Sequence, residues 1–135
     1  MGGEERPPWN LLDDLVWQDR ETTAWINPRW WANNPGNVLV IPNAHFENLF
    51  ELDGGQAVAV HHTARRIALA MTTAYPCEGI TTRQNSGPGA DQEVWHFHLH
   101  VFPRHRGDGF YASDARLTEP EERRPYADRL RAALS

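Results

Sequence analysis

The sequence predicts an α+β fold, and three features of its pattern lead to that prediction. Short segments rich in β-branched and aromatic residues occupy the first third of the chain. One long segment with helical periodicity follows, and then further strand-like segments and a charged C-terminal helix. With 135 residues and 40% hydrophobic content, the chain is expected to form one domain over residues 9–135, after a loose Gly-, Glu- and Pro-rich tail at residues 1–8.

The N-terminal strands are predicted from composition and turn signals. Residues 15–18 and 22–26 are expected to form two strands joined by a turn at Asp19. Residues 30–36 end in a Pro-Gly pair, which predicts a loop. Residues 38–41 are wholly apolar and are expected to form a short strand.

The long helix is predicted from its cap, its periodicity and its stop signal. Asp53 is a suitable N-cap, and Pro76 ends the helix at about Tyr75. His61 and His62 fall on the helix and are expected to be solvated. The residues expected to face the core are Val60, Ala64, Ile67, Ala68 and Met71.

The second half of the chain is predicted to contain two strands and a helix. Residues 79–85 form a strand that leads into a glycine-rich loop at residues 86–90. Residues 95–102 form the next strand. Residues 121–134 form a helix that is strongly charged on one face.

Three histidines at alternate positions, His96, His98 and His100, are the most distinctive feature of the sequence. On a strand their imidazoles would point to one face, because successive side chains alternate between faces. The residues expected on the opposite, buried face are Phe97, Leu99 and Val101. Isolated strand histidines are usually surface or satisfied core residues, but three in register add little to packing and would repel one another if charged. The pattern therefore indicates a catalytic or ligand-binding strand.

Two kinds of chemistry fit such a row of imidazoles. Three histidines on one straight strand cannot easily share a metal ion, because the outer Cα atoms are roughly 13 Å apart and metal–nitrogen bonds are only about 2.1 Å. A metal site would therefore use His96 and His98 with a distant ligand. Alternatively, the middle imidazole attacks an extended substrate while its neighbours donate hydrogen bonds or protons. The candidate distant ligands are His45, His61, His62, Asp91 and Glu93.

Residues 96–102 read His-x-His-x-His-x-x with apolar residues at x, and this pattern resembles the signature of the histidine triad (HIT) family. The upstream segment 34–45 resembles the Pro-Gly-His-Val-Leu-Val-x-Pro-x-x-His segment of that family. Residues 103–108 resemble the segment that follows the triad. Gln92 and Asn85 also stand where the family has polar amides, so the resemblance extends over about residues 17–110.

This resemblance implies nucleotide chemistry without a cofactor. Members of the family attack the α-phosphorus of a nucleoside phosphate with the middle histidine, and pass the nucleotide to water or another acceptor. By position, His98 is the expected nucleophile and Asn27 lies near the expected ribose ligand. The expected phosphate contacts are His96, His100, Asn85 and Gln92. The implied substrates are phosphoramidates, adenylylated amines or dinucleoside polyphosphates of adenosine or guanosine.

Two positions depart from the family pattern. Glu93 stands where the family often has a hydroxyl residue that helps the leaving group, and an ionised carboxylate cannot donate a proton. Asn37 replaces a histidine, so a hydrogen-bonding role is expected there without acid–base work, while His45 could support the triad strand or simply lie at the surface. These departures leave open a nucleotide sensor with poor turnover.

Composition and resemblance together restrict the partners. A net charge of -5 argues against nucleic acid and anionic membranes as partners, and no apolar run reaches about 18 residues. No signal peptide is visible, so a cytoplasmic protein is expected. The resemblance implies an antiparallel sheet of about five strands, packed helices and a homodimer. Trp30 and Trp31 could stack on the base or cover a sheet edge or a subunit contact.

Overall fold

The computed structural model describes residues 12–135, so the tail expected at residues 1–8 lies outside the described part of the chain. Its centre is a five-stranded antiparallel sheet with the order β1-β2-β4-β6-β5. The α+β prediction, with an antiparallel sheet, one long helix and a C-terminal helix, is confirmed. These strands are β1 (Leu15–Gln18), β2 (Thr22–Ile26), β4 (Val38–Pro42), β5 (Gly79–Arg83) and β6 (Leu99–Arg104), and the helices are α1 (Gly54–Ala74) and α2 (Pro120–Leu134).

The two faces of the sheet have different roles. Alternation along the strands directs Ala24, Val40 and Val101 toward the helices, where all three are fully buried. Their strand neighbours Trp25, Leu39 and His100 therefore point to the opposite face and line a cavity. The sheet thus separates the hydrophobic core from the candidate site.

Helix α1 begins and ends where the sequence signals place it. The Asp53 carboxylate accepts the backbone N–H of Gln56 at 2.8 Å, and Tyr75 is the C-cap residue immediately before Pro76. His61 and His62 are exposed, as predicted. The predicted core stripe is correct except at Ala68, which is only half-buried. The buried residues of the helix are Val60, Thr63, Ala64, Ile67, Ala70 and Met71.

Helix α2 is attached to the start of the sheet by a buried ion pair. Arg123 Nε lies 3.0 Å from Asp14 Oδ1, and both side chains are almost completely buried, with 2% and 3% of their surface exposed. The same guanidinium donates to the Thr118 carbonyl through Nη1 at 2.7 Å. Together these bonds hold the first turn of α2 against the residues that precede β1.

The loop predicted at residues 30–36 is only partly a loop. Arg29–Trp31 forms β3, which pairs with β7 (Ala115–Leu117) in a second, two-stranded sheet. The Pro-Gly signal correctly marks a turn, because Gly36 has a φ of 90°. The pairing was missed because the β7 partner lies more than eighty residues further along the chain, and Ala115–Leu117 has no strand-like alternation.

The strand predicted over residues 95–102 begins later, at Leu99. The partner strand β4 ends at Pro42, and the ladder between β4 and β6 ends at the Val40–Leu99 pair. Upstream of that pair, the Phe97 N–H donates instead to the carbonyl of Phe46 at 2.7 Å. Only His100 of the three histidines therefore lies within a strand. Strand β5 also ends earlier than predicted, at Arg83.

Within residues 12–135, neither helix combines the length and hydropathy that a membrane crossing requires.

Candidate functional site

A cavity of about 670 Å³ lies on the sheet face opposite the helices, and all three histidines of the motif line it. Its lining also includes four of the other predicted site residues, Asn27, Asn85, Gln92 and Glu93. The extended segment before Leu99 still brings His96 and His98 to the same wall as His100, although it is outside the ladder. The structure therefore brings the three histidines to one cavity as predicted, although His96 and His98 lie before the strand and not within it.

The ring of His98 is fixed by a backbone hydrogen bond. Its Nδ1 lies 2.9 Å from the carbonyl oxygen of His96. Because a carbonyl can only accept, Nδ1 carries the proton and Nε2 keeps an unshared electron pair. Burial lowers the pKa of His98 below its usual range; the hydrogen bond to the His96 carbonyl opposes this decrease in part, and the electrostatic effect of the His96 ring adds a smaller decrease. Nε2 of His98 is therefore a neutral nitrogen nucleophile at neutral pH.

His96 and His45 form a hydrogen-bonded pair behind this nucleophile. His96 Nε2 lies 3.1 Å from the carbonyl of Pro42, so that nitrogen donates. In the neutral form of His96, its Nδ1 accepts from His45 Nδ1, which lies 3.1 Å away. His45 is exposed and absent from the cavity lining, and its ring contacts that of His96, so its supporting role stays a prediction.

His100 packs against two aromatic rings. Its ring stacks on Phe102 with 5.2 Å between ring centroids, and the ring of His98 lies 5.2 Å away on its other side. Its Nδ1 is buried with no hydrogen-bond partner. Burial first, and then the neighbouring His98 and Arg83, lower the pKa of His100 to about 3.

We expect this environment to make folding stability fall in mild acid. The unfolded chain protonates His100 near its ordinary pKa of 6.5, whereas the folded chain keeps it neutral down to about pH 3. The unfolded state therefore binds more protons between these values, and the free energy of unfolding decreases as pH falls through this window. Urea titrations of wild type and His100→Gln at several pH values should give a smaller slope of stability against pH in the variant. Equal slopes would contradict the burial of a neutral ring.

The two amides predicted to contact phosphate are placed differently. Asn85 lines the cavity, and its side chain makes no hydrogen bond with any residue from 12 to 135, so its amide donors are available to a ligand. Gln92 is buried, and its Nε2 donates to the carbonyls of Glu47 at 2.6 Å and Val94 at 3.1 Å. Its Oε1 accepts the N–H of Gly87 at 2.7 Å. Gln92 thus closes the glycine-rich loop, and its contact with phosphate remains a prediction.

Asn27 and Asn37 form one buried unit at the other end of the cavity. Asn27 Nδ2 donates to Asn37 Oδ1 at 2.9 Å, and Asn37 Nδ2 donates to the carbonyl of Arg29 at 3.0 Å. Only Asn27 reaches the cavity, while Asn37 lies behind it. Asn37 therefore positions Asn27, and this geometry agrees with a hydrogen-bonding role that requires no titration.

Several wall residues were not among the predicted site residues. Trp25, Leu39 and Ile41 form an apolar wall, which the alternation of β2 and β4 could have indicated. Arg29 and Arg83 also line the cavity, and no motif marks them. Of the two tryptophans left open by the sequence, Trp30 packs in the core against Tyr126, and Trp31 lines the cavity.

The described residues contain no group of side chains that matches the alternative metal site. From residue 12 onward, no three His, Cys, Asp or Glu side chains are grouped closely enough to hold an ion. Among the described residues, none of the five distant ligands considered completes a three-ligand group with His96 and His98. Of those candidates, His45 uses its Nδ1 in the hydrogen bond with His96, so that nitrogen is not available to a metal ion while the bond is formed.

A family comparison decides the assignment. The model of the HIT domain matches residues 13–107. The chain belongs to the histidine triad family. Among other HIT proteins, Protein hit of Bacillus subtilis is 40% identical over 98 residues, which are 72% of this chain and 66% of that protein. Adenylylsulfatase HINT3 of Arabidopsis thaliana is 29% identical over 80 residues, 59% of this chain and 41% of that protein.

Solved HIT structures share the fold of this HIT protein. The Hit-like protein of Bartonella henselae aligns with a TM-score of 0.78 at 29% identity, over 90% of this chain and 86% of that chain. The diadenosine triphosphate hydrolase of Plasmodium falciparum aligns with a TM-score of 0.75 over 90% of this chain and 76% of that chain. Its identity is only 16%, so that likeness concerns the fold alone.

Proposed function

We propose that this HIT protein is a nucleotide hydrolase or transferase that acts through a nucleotidyl-His98 intermediate. The observation that carries the proposal is the hydrogen bond from His98 Nδ1 to the His96 carbonyl, which leaves the electron pair of Nε2 for attack on phosphorus. The relative named as an adenylylsulfatase supports chemistry on an adenylyl group. Its substrates would be nucleoside phosphoramidates or dinucleoside polyphosphates.

The reaction divides into two displacements at the α-phosphorus. In the first, the Nε2 electron pair of His98 forms an N–P bond, and the leaving group departs with the electron pair of its own bond to phosphorus. In the second, water or another acceptor loses a proton, attacks the same phosphorus and releases neutral His98. Asn85 would donate hydrogen bonds to the phosphoryl oxygens, where fixed donors stabilise developing charge better than mobile water does.

The nucleoside would occupy the end of the cavity formed by β2 and β4. Trp25, Leu39 and Ile41 offer an apolar wall for the base, and Asn27 lies beside them as a candidate ribose ligand. This placement puts the base on one side of β6, with the α-phosphorus at His98.

The intermediate provides the direct test. The protein is mixed with adenosine phosphoramidate or diadenosine triphosphate, quenched in denaturant at alkaline pH, and analysed by mass spectrometry. An adduct with the mass of one adenylyl group, located on the peptide containing His98, is expected. A protein that binds AMP tightly and never forms the adduct would instead be a nucleotide sensor, the alternative favoured by the exposed carboxylate of Glu93.

Glu93 supplies a prediction about the leaving group. It lines the cavity, and an ionised carboxylate cannot donate to a departing amine. Glu93→Ser introduces a hydroxyl donor, so kcat/KM for adenosine phosphoramidate should rise about 10-fold, less than the roughly 10²-fold or more that a well-positioned proton donor contributes. Glu121→Ser, on the exposed side of α2, is the matched control and should change nothing. Unchanged or lower phosphoramidate turnover in Glu93→Ser would show that Glu93 does not limit amine departure.

We also infer a homodimer, as the family resemblance implies. Strand β5 is an edge strand of the main sheet, so its outer backbone groups are available for contact with a second copy. Sedimentation equilibrium at micromolar concentration tests this inference, and a monomer would reject it.

A further inference from the structure

Arg83 is a cation of the cavity that the proposed mechanism does not use. It is the last residue of β5 and pairs in register with His100 on β6. Paired residues of neighbouring strands point to the same face, so its side chain lies beside His100 on the cavity wall. Its guanidinium carbon lies 5.2 Å from the ring centre of Trp31 and 5.1 Å from that of Phe102.

The guanidinium of Arg83 has no partner for its donors. It forms no ion pair and no hydrogen bond with residues 12–135, although Asp91 and Glu93 line the same cavity. Its Nε is buried and unsatisfied. By contrast, Arg104 and Arg123 are each paired with a carboxylate. A half-buried cation with unused donors is costly, and an incoming anion would satisfy it.

Packing against aromatic rings does not account for those donors. A cation–π contact uses the flat face of a guanidinium, and the N–H groups lie in its plane and point away from the rings. Trp31 and Phe102 help to hold the group in place and offer no oxygen acceptor, so its N–H donors still lack the bidentate contact that phosphate or sulfate oxygens would provide.

The order of the strands shows which part of a substrate would reach this edge. Across the sheet, the apolar wall of Trp25 and Leu39 lies on β2 and β4, the triad follows on β6, and Arg83 lies beyond it on β5. With the base on the first side and the α-phosphorus at His98, the group on the far side of the scissile bond extends toward Arg83.

We propose that Arg83 binds the anionic leaving group of the substrate and directs this protein to nucleotidyl anhydrides, in which the leaving group is a phosphate chain or a sulfate, over nucleotidyl amides. This inference rests on the proposed function. When His98 attacks, the bridging P–O bond breaks and its electron pair stays on the departing oxygen. That group gains negative charge in the transition state, which the guanidinium stabilises without transferring a proton.

The test compares two leaving groups on the same adenylyl donor. For Arg83→Met, kcat/KM for diadenosine triphosphate should fall at least about 10-fold, while kcat/KM for adenosine phosphoramidate, whose leaving group is an uncharged amine, should stay within about threefold. Arg20→Met removes a charge from the exposed turn between β1 and β2 and should affect neither substrate. Equal losses for both substrates, or no loss for either, would overturn the proposal.

Measurements of nucleotide binding distinguish a failure of the Arg83 assignment from a failure of the proposed function. Calorimetry with wild type should show ADP, which carries a β-phosphate, binding more tightly than AMP, and Arg83→Met should abolish that preference. Arg83→Lys, which keeps the charge and loses the planar fork, should retain part of it and serves as the informative variant if the methionine protein does not fold. If no adenylyl-His98 forms with any substrate, the proposed function fails. If ADP and AMP bind wild type equally, the assignment of Arg83 fails.

Discussion

His98→Ala is expected to reduce kcat for adenosine phosphoramidate and diadenosine triphosphate by about 10³-fold or more, because the attacking nitrogen is removed. KM should change much less, since the apolar wall and Asn27 that would hold the nucleoside remain. The adenylyl adduct should disappear in the same variant. Steady-state kinetics and mass spectrometry of the quenched protein measure the two effects independently.

His62→Ala is the matched control for this loss. His62 is an exposed histidine of α1 that is absent from the cavity lining, and its removal should leave turnover unchanged. Turnover by His98→Ala within about tenfold of wild type would refute covalent catalysis by His98. An adduct that persists in that variant would assign the nucleophile to another side chain.

The largest loss of stability is expected from Asp14→Asn. The substitution keeps the shape of the side chain but removes the negative charge that Asp14 places 3.0 Å from the buried Arg123 guanidinium. Breaking a buried pair in this way costs about 3 kcal/mol. For a domain of this size, the melting temperature should fall by about 10 °C. Urea unfolding and calorimetry at neutral pH measure the two quantities.

The adjacent residue provides the comparison. Asp13 faces Arg124 at 3.3 Å, but 63% and 51% of their side-chain surfaces are exposed. Asp13→Asn removes the same charge one position earlier, and its effect should stay within about 0.5 kcal/mol. If both variants lose equal stability, long-range charge is responsible and the buried contact with α2 is not.

Local sequence signals predicted the elements that depend on local physics. The Asp53 cap, the stop at Pro76 and the strand-favouring composition of residues 22–26 each act within a few residues, and the structure has the corresponding helix and strand. The strand β3 depends on Ala115–Leu117, a partner that only the folded chain brings near. No short window of sequence contains that information.

The candidate site was predictable in part for the same reason. Spacing and family resemblance were enough to select the three histidines and Asn85, which line one cavity. The late start of β6 was not predictable, because it depends on where the pairing with β4 ends, at Val40–Leu99, and on the hydrogen bond that Phe97 N–H donates to the distant Phe46 carbonyl. Arg83 was also missed, since an arginine has no sequence signature of being unpaired. Its significance depends on its forming no ion pair with any carboxylate of residues 12–135, which is a property of three-dimensional packing.

The hydrogen bond that orients His98 has a consequence for evolution and engineering of the pocket. Its acceptor is a main-chain oxygen, so it belongs to the path of the backbone and not to the identity of any neighbouring side chain. Mutational drift can alter the wall residues without deleting the group that sets the imidazole tautomer. A library randomised at Arg29, Arg83 and Glu93 should therefore change preference among nucleotide donors while the attacking nitrogen is retained.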